Sequence, residues 1–214
     1  MPIGNDIVDL SDPRNRGKSR DHRFTQRAFR PSERDRIAGS ENPDREMWTL
    51  WAAKEAAYKA LSKSFPSLSS VPRLFSVSLS SFEPTVPQEG RGHGTVACPR
   101  GPVTIRVFRT AEYVHCVASD ELDGRLEGMI GQVVRLADAP GAPVLRDESR
   151  LTREAAARRL SEHLGLRADE VEIRRIKKDR ELGPPVVYVQ GEQTAIDLSL
   201  SHDGAFGAFV FLPF

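Results

Sequence analysis

The spacing of apolar residues divides the chain into stretches of different period. Residues Ile3–Leu10 (IGNDIVDL) read as a short buried strand. In RFTQRAFRPSERDRI (23–37), Pro31 suits the first turn of a short helix. Asn42-Pro43 then opens a helix that runs to about Lys63, with Asn as the cap and Pro in the first position. Within it Met47, Leu50, Trp51, Tyr58 and Leu61 recur at helical spacing and are expected to face the core. The period then changes: LFSVSLSSF (74–82), GTVAC (94–98), VTIRVF (103–108) and YVHCVA (113–118) are β-branched or alternating and separated by Gly and Pro turns. MIGQVVRL (129–136) follows a Gly-punctuated patch as a further strand, and ADAPGAPVLRDES (137–149) has the composition of a linker. A second helix is expected over roughly Thr152–Gly165, with Gly165 as its stop. Strands VEIRRI (171–176), PVVYV (185–189) and AIDLSLS running into AFGAFVFL close the chain.

Three of these segments recur in the same order. KEAAYKAL (54–61) aligns without a gap to REAAARRL (153–160), and VTIRVFRTAEYVHCVA (103–118) aligns without a gap to IDLSLSHDGAFGAFVF (196–211). IGNDIVDL (3–10) resembles IGQVVRL (130–136) with one deletion. A strand–helix–hairpin unit occurring twice accounts for all three. The copies differ in chemistry. The first has Asp6 and Glu55 but Arg109 where the second has His202; the second has Glu154, with Gln132-Val133 in the place of Asn5-Asp6. If the two copies face each other about a pseudo-twofold axis, one junction unites Asp6, Glu55, Lys59 and His202. The mirror junction holds Glu154 and Arg109 without the aspartate, giving one working site and one relic. The expected fold is α+β: two similar lobes, 1–123 and 124–214, each a long helix packed on a small, mostly antiparallel sheet.

Composition adds bounds. With 39% hydrophobic and 29% charged residues in 214, the chain can bury a core without disulfide or metal staples. Cys98 and Cys116 have no metal-site spacing and sit among β-type residues, so buried free thiols in a reducing compartment are expected. The chain has no run long enough to span a membrane and no signal-peptide pattern, and a cytosolic protein without a membrane partner is expected. Net charge is only +1, but Arg14, Arg16, Lys18, Arg20, Arg23, Arg27, Arg30, Arg34 and Arg36 crowd one segment against Asp12, Asp21, Glu33 and Asp35. Such a surplus attracts phosphates or an acidic protein, or merely solubilises a surface. No nucleic-acid module accompanies it, and no basic–aromatic interleaving, so no nucleic-acid partner is expected.

The candidate chemistry lies in three short elements. Asp6 follows Gly4, whose missing side chain permits close approach of another group. Glu55 sits mid-helix one turn before Lys59, which on helix grammar alone reads first as a surface pair stabilising by roughly 0.3–0.5 kcal/mol. Two oxygen ligands without a His–Cys cluster suit Mg²⁺ rather than zinc, completed by water and substrate phosphates. A lysine on the next turn then meets phosphate charge, which points to phosphoryl-type transfer. In SLSHDG (199–204) the serines alternate with His202, which therefore faces away from them; a strand-end histidine bonded to a turn carbonyl is the plainer reading of it. There is no G-x-S-x-G to support a serine hydrolase.

Taken together, GNDIVDL (4–10), KEAAYK (54–59) and SLSH (199–202) resemble the G-x-D, K-E-A-x-x-K and S-x-S-H motifs of the 4′-phosphopantetheinyl transferase superfamily. RFTQRAF (23–29), followed by Pro and Glu, is similar to the region after the first motif in the short holo-acyl-carrier-protein synthases. The resemblance implies transfer of phosphopantetheine from coenzyme A to a serine of an apo carrier protein, with release of 3′,5′-ADP, as in fatty-acid or polyketide synthesis. It implies that Asp6 and Glu55 bind Mg²⁺ together with the pyrophosphate of coenzyme A. Glu55, directly or through a water, would deprotonate the carrier serine; Lys59 would meet charge on the transferring phosphate or protonate the leaving group; His202 would contact the nucleotide phosphates. It further implies a two-lobed monomer, and an acidic carrier docked on the arginine-rich segment or coenzyme A phosphates held by it. The motif order differs from the common two-lobed members, in which S-x-S-H comes first. Asn5 replaces the usual aliphatic residue, and Val8 stands where two-lobed members carry a third acidic ligand, leaving that place to Asp9 through a bulge or to water. An inactive relative that binds coenzyme A or a carrier protein is the alternative.

Overall fold

The computed structural model describes residues 2–86, 89–120, 126, 128–136, 147–178 and 181–213. In chain order the elements are β1 (Ile3–Asp9), α1 (His22–Ala28), α2 (Pro31–Ala38), α3 (Pro43–Ser64), β2 (Ser76–Val86), β3 (Glu89–Cys98), β4 (Gly101–Arg109), β5 (Tyr113–Ser119) and β6 (Ile130–Arg135). They continue with α4 (Glu148–Leu164), β7 (Val171–Lys178), β8 (Glu181–Val189), β9 (Glu192–Gln193), β10 (Asp197–Asp203) and β11 (Phe206–Leu212). The fold is mixed α+β with antiparallel sheets: five strands in the order β1-β5-β4-β3-β2, three in the order β10-β11-β6, and three in the order β7-β8-β9.

Helix α3 organises the first part. Asn42 caps it, its side chain accepting from Arg45 N at 3.0 Å, with Pro43 at the first position. An alanine stripe (Ala52, Ala53, Ala56, Ala57, Ala60) lies fully buried against the five-stranded sheet with Met47 and Leu50, while Trp51 and Tyr58 pack at its margin. Small residues let helix and strand approach closely. At Gly4 a Cβ would stand 2.0 Å from the Ala56 carbonyl oxygen and 2.6 Å from Ala60 N. The group brought close by Gly4 is thus the backbone of α3 itself.

The arginine-rich segment wraps this helix. Asp21 caps α1 by accepting from Phe24 N, and Phe24 packs on Trp48 and Trp51 of α3. Pro31 opens α2 as expected. Lys54 is 1% exposed and points into this wrapping. Its Nζ donates to Glu33 Oε2 at 2.7 Å and to the carbonyls of Ala28, Pro72 and Phe75. Burial depresses its pKa, and Glu33 opposes that shift. Lys54 is therefore a tie between α1, α2 and the turn before β2.

Around α4 a second core gathers Ala156, Leu160, Val171, Val187, Leu198, Phe209 and Phe211. The helix starts at Glu148, earlier than the expected Thr152, and ends at Gly165 in the left-handed conformation at φ 68°. Glu148 and Ser149 thus belong to α4 rather than to the linker; 137–146 lie outside the described residues, as does the expected boundary at 123/124. The pairing β6-β11-β10 has the same sense as β1-β5-β4. Val134 stands opposite Gly207 as Val8 stands opposite Val114, so on the aligned hairpins Gln132 alone occupies the place of Asp6. No deletion is needed between β1 and β6, which corrects the alignment made from sequence. Cys116 is buried and Cys98 half-buried; both are free thiols, that of Cys98 pushed up to about 12 by burial. No helix among the described residues is long and apolar enough to cross a membrane.

A Gly→Ala change in a strand normally helps by removing unfolded-state freedom. Here the methyl has nowhere to go, and Gly4→Ala is expected to cost about 2–4 kcal/mol of unfolding free energy in a urea titration. A neutral result would show that β1 and α3 are not held at this separation.

Candidate active site

Strand β1 is buried on both faces. Gly4, Asp6 and Val8 turn toward α3, whereas Ile3 clusters with Val210 of β11 and Ile7 with Phe206 and Ala208 of β11 and with Ala205 just before it. Its pairing with β5 is regular from Ile3 to Asp9, with no bulge. As the edge strand of its sheet, β1 has outward N–H and C=O groups without a strand partner. Side chains supply the partners. Ile3 N donates to Asp197 Oδ2, Asn5 N to Ser199 Oγ at 2.9 Å, and Asp9 N to Asp203 Oδ2 at 2.9 Å. The carbonyls are met by cations and an amide: Ile3 O accepts from Lys63 Nζ at 2.7 Å, Asn5 O from Lys59 Nζ at 3.0 Å, and Asp9 O from Asn15 Nδ2 at 2.8 Å.

Lys59 reaches this edge from α3 and also donates to Asp6 Oδ1 at 2.7 Å. Burial raises the Asp6 carboxyl above its ordinary value, while Lys59 and then His202 pull it down, which places the imidazole of β10 within electrostatic reach of Asp6. Glu55 lies one turn before Lys59 on the same helix, half-buried. Its carboxyl is pushed up to about 7, first by burial and then by the Asp6 charge, with Lys59 opposing. The structure thus brings Asp6, Glu55 and Lys59 together, with His202 of the second sheet within electrostatic reach of Asp6. The surface-pair reading of Glu55 and Lys59 is set aside: Lys59 is committed to β1, not to Glu55.

The remaining candidates are placed differently. Asp9 turns away from Asp6 and is 3% exposed. Its Oδ1 accepts from Ser11 N at 2.7 Å and its Oδ2 from Ala205 N at 2.9 Å. With no bulge and both oxygens committed, Asp9 is not a third ligand, and Val8 is part of the core. Asn5 also turns away from the site: Nδ2 donates to Ser201 Oγ at 3.0 Å and lies 3.3 Å from Nε2 of His115, a ring that burial holds neutral with its pKa at about 3. The substitution at the middle of G-x-D therefore belongs to the contact between sheets. The supposed relic pair is not assembled. Arg109 binds Glu46 and Thr49 of α3, and Glu154 pairs with Arg150 on its own helix. Glu148, read as linker from sequence, instead contacts His202, Nδ1 to Oε2 at 3.0 Å.

Whether Asp6 and Glu55 suit a divalent cation can be judged from the donors. Both are hard oxygen ligands, and the charge of each raises the cost of ionising the other, a repulsion that a cation relieves. No group of three or more His, Cys, Asp or Glu with metal-site geometry occurs among the described residues. Two carboxylates with open positions fit Mg²⁺, which keeps several waters and takes substrate phosphates, better than a closed protein cage.

Residues 2–118 match the family model of the 4′-phosphopantetheinyl transferase superfamily. The chain belongs to that superfamily. The match spans β1 and α3, and so contains Asp6, Glu55 and Lys59; it ends before His202 and Glu148. A search of curated proteins returned no match. Phosphopantetheinyl transfer is accordingly the class of chemistry against which this site is to be read.

A carboxyl whose folded-state pKa of about 7 stands above its ordinary 4.5 favours the fold fully below 4.5 and loses that contribution as pH rises through 7. Glu55→Gln removes the titration. Its stability relative to wild type is expected to rise by about 1–3 kcal/mol between about pH 5 and about pH 8 in denaturant titrations. A difference that stays constant across that range would show Glu55 titrating as an ordinary carboxyl.

Proposed function

We propose that the protein transfers the 4′-phosphopantetheine arm of coenzyme A to a serine of an apo carrier protein, in a Mg²⁺-dependent reaction at the β1–α3–β10 junction. The observation that carries this reading is the Lys59–Asp6 contact at 2.7 Å with Glu55 one helical turn away. Asp6 and Glu55 would hold the Mg²⁺, which supplies charge neutralisation to the pyrophosphate when bound. Glu55, directly or through a water, takes the proton of the carrier serine. The serine oxygen forms a bond to the phosphorus bearing the pantetheine arm, and the bond from that phosphorus to the leaving 3′,5′-ADP oxygen breaks. Lys59 is placed to meet the charge that gathers on the phosphates or to protonate the leaving group. His202 reaches the nucleotide phosphates from β10.

The matching pairing orders support two lobes of one design, 1–123 and 124–214, related by a pseudo-twofold axis, with the working site at one of their junctions. The arginine-rich segment supports an acidic carrier as partner. Arg14, Lys18 and Arg36 have acidic partners of their own, and Arg30 bonds the Arg73 carbonyl. Arg16, Arg20, Arg23 and Arg27 are exposed and carry no ion pair among the described residues, which leaves them for the partner.

Intact mass spectrometry of an apo acyl-carrier protein incubated with coenzyme A and Mg²⁺ tests the reaction. Wild type is expected to add a phosphopantetheine-sized mass, a chelator to abolish it, and Glu55→Gln to slow it by about 10²-fold or more. No gain with several carriers while coenzyme A still binds would identify a binding protein without catalysis. Absence of coenzyme A binding as well would sink the assignment.

A further inference from the structure

His202 is held by a residue outside the sequence motifs. It stands opposite Gly207 in the β10–β11 hairpin, and a Cβ on Gly207 would lie 2.4 Å from Thr152 Oγ1. The bare glycine lets the first turns of α4 settle on the hairpin. Thr152 is fully buried there and its hydroxyl donates to the Glu148 carbonyl at 2.7 Å, which fixes the start of the helix. Glu148 Oε2 is thereby set 3.0 Å from His202 Nδ1.

The first half of the chain contains the corresponding contact. On the aligned helices Thr49 takes the place of Glu148, and on the aligned hairpins Arg109 takes the place of His202. Arg109 Nε donates to Thr49 Oγ1 at 2.9 Å. A helix-to-hairpin contact at this point is therefore a feature of the repeated unit, and only the pair that makes it differs. In the first half Glu46 also grips the guanidinium, which is 13% exposed. In the second half the imidazole has a single carboxylate partner and is 39% exposed, and its Nε2 has no partner among the described residues.

We propose that Glu148 is a positioning residue for His202, fixing the ring with Nδ1–H toward α4 so that Nε2 is presented to the phosphates of coenzyme A. The proposal rests on the transferase reading above. An imidazole on an exposed strand end is otherwise free to turn and to exchange tautomers, and a carboxylate on one nitrogen settles both choices. With a phosphate oxygen on Nε2 both nitrogens donate, each to an anion, which makes the pair of contacts stronger than neutral hydrogen bonds.

Two measurements on the full chain test this. Long-range ¹H–¹⁵N spectra, with the His202 signals assigned from His202→Ala, report the tautomer in the free protein; wild type is expected to be Nδ1-protonated and Glu148→Ala to shift toward the Nε2–H form. Calorimetric binding of coenzyme A with Mg²⁺ is expected to weaken roughly five- to tenfold in Glu148→Ala. Glu148→Gln, which keeps an acceptor, should recover most of that loss, and Glu148→Ala should add nothing in a His202→Ala background. Unchanged ring signals, or additive losses in the double variant, with coenzyme A binding intact, would overturn the role of Glu148 alone. Failure of wild type to bind coenzyme A would overturn the reaction and this role together.

Discussion

The outer edge of β1 is the constraint on which the rest depends. An edge strand buried between a helix and a second sheet cannot leave its N–H and C=O groups bare. Here β10 does not pair with it backbone to backbone. It runs beside β1 in parallel, and the alternate residues Asp197, Ser199 and Asp203 offer side-chain oxygens to Ile3, Asn5 and Asp9 at a constant offset. Lys59 and Lys63, one turn apart on α3, close the same edge from the carbonyl side. The two sheets are thus joined by polar side chains at a spacing wider than a ladder, flanked by the apolar contacts of Ile3 and Ile7.

That wider spacing leaves room for chemistry. Lys59 serves the edge and the site at once, because the carbonyl it caps belongs to Asn5 and the carboxylate it meets belongs to the next residue. Lys63 has no such second duty: it is paired with Asp197, and burial depresses its pKa against that partner. The two halves share a pairing order but not a wrapping. In the first, α1 and α2 cover α3 and seal Lys54 with Glu33; in the second, the aligned Arg153, with Glu154 and Arg158, lines an open cavity of about 390 Å³ against β7. Glu154 and Arg158, the counterparts of the candidate residues Glu55 and Lys59, are exposed.

Much of this was legible in the sequence where local grammar and burial agree. Asn42-Pro43 marked the start of α3, Gly165 the end of α4, and the hairpins followed from alternation. Strand β3 was seen from Gly94 only, because Gly90 and Gly92 face inward and the Phe82 ring fills the space their side chains would take, so the inward positions carry no hydrophobic signal. The start of α4 was hidden because Glu148 serves His202 rather than the helix's own apolar stripe. Asp6, Glu55, Lys59 and His202 stand out in the sequence as candidates because their spacing is ordered by motif. Glu148 and Lys63 do not, since what distinguishes them is a neighbour distant in the chain. Asp9 was ambiguous by alternation and is explained by the backbone amides it accepts.

The bonds that complete β1 join residues separated by 194 positions. Loop closure over such a distance is entropically costly before any contact repays it. Until β10 arrives, the first sheet carries an unfinished edge with its donors exposed, the kind of surface that recruits other chains. Ser199 and its neighbours therefore act as more than mortar between two sheets: in a chain emerging from the ribosome they can protect the strand that carries Asp6 only after the segment 194 residues downstream has been made.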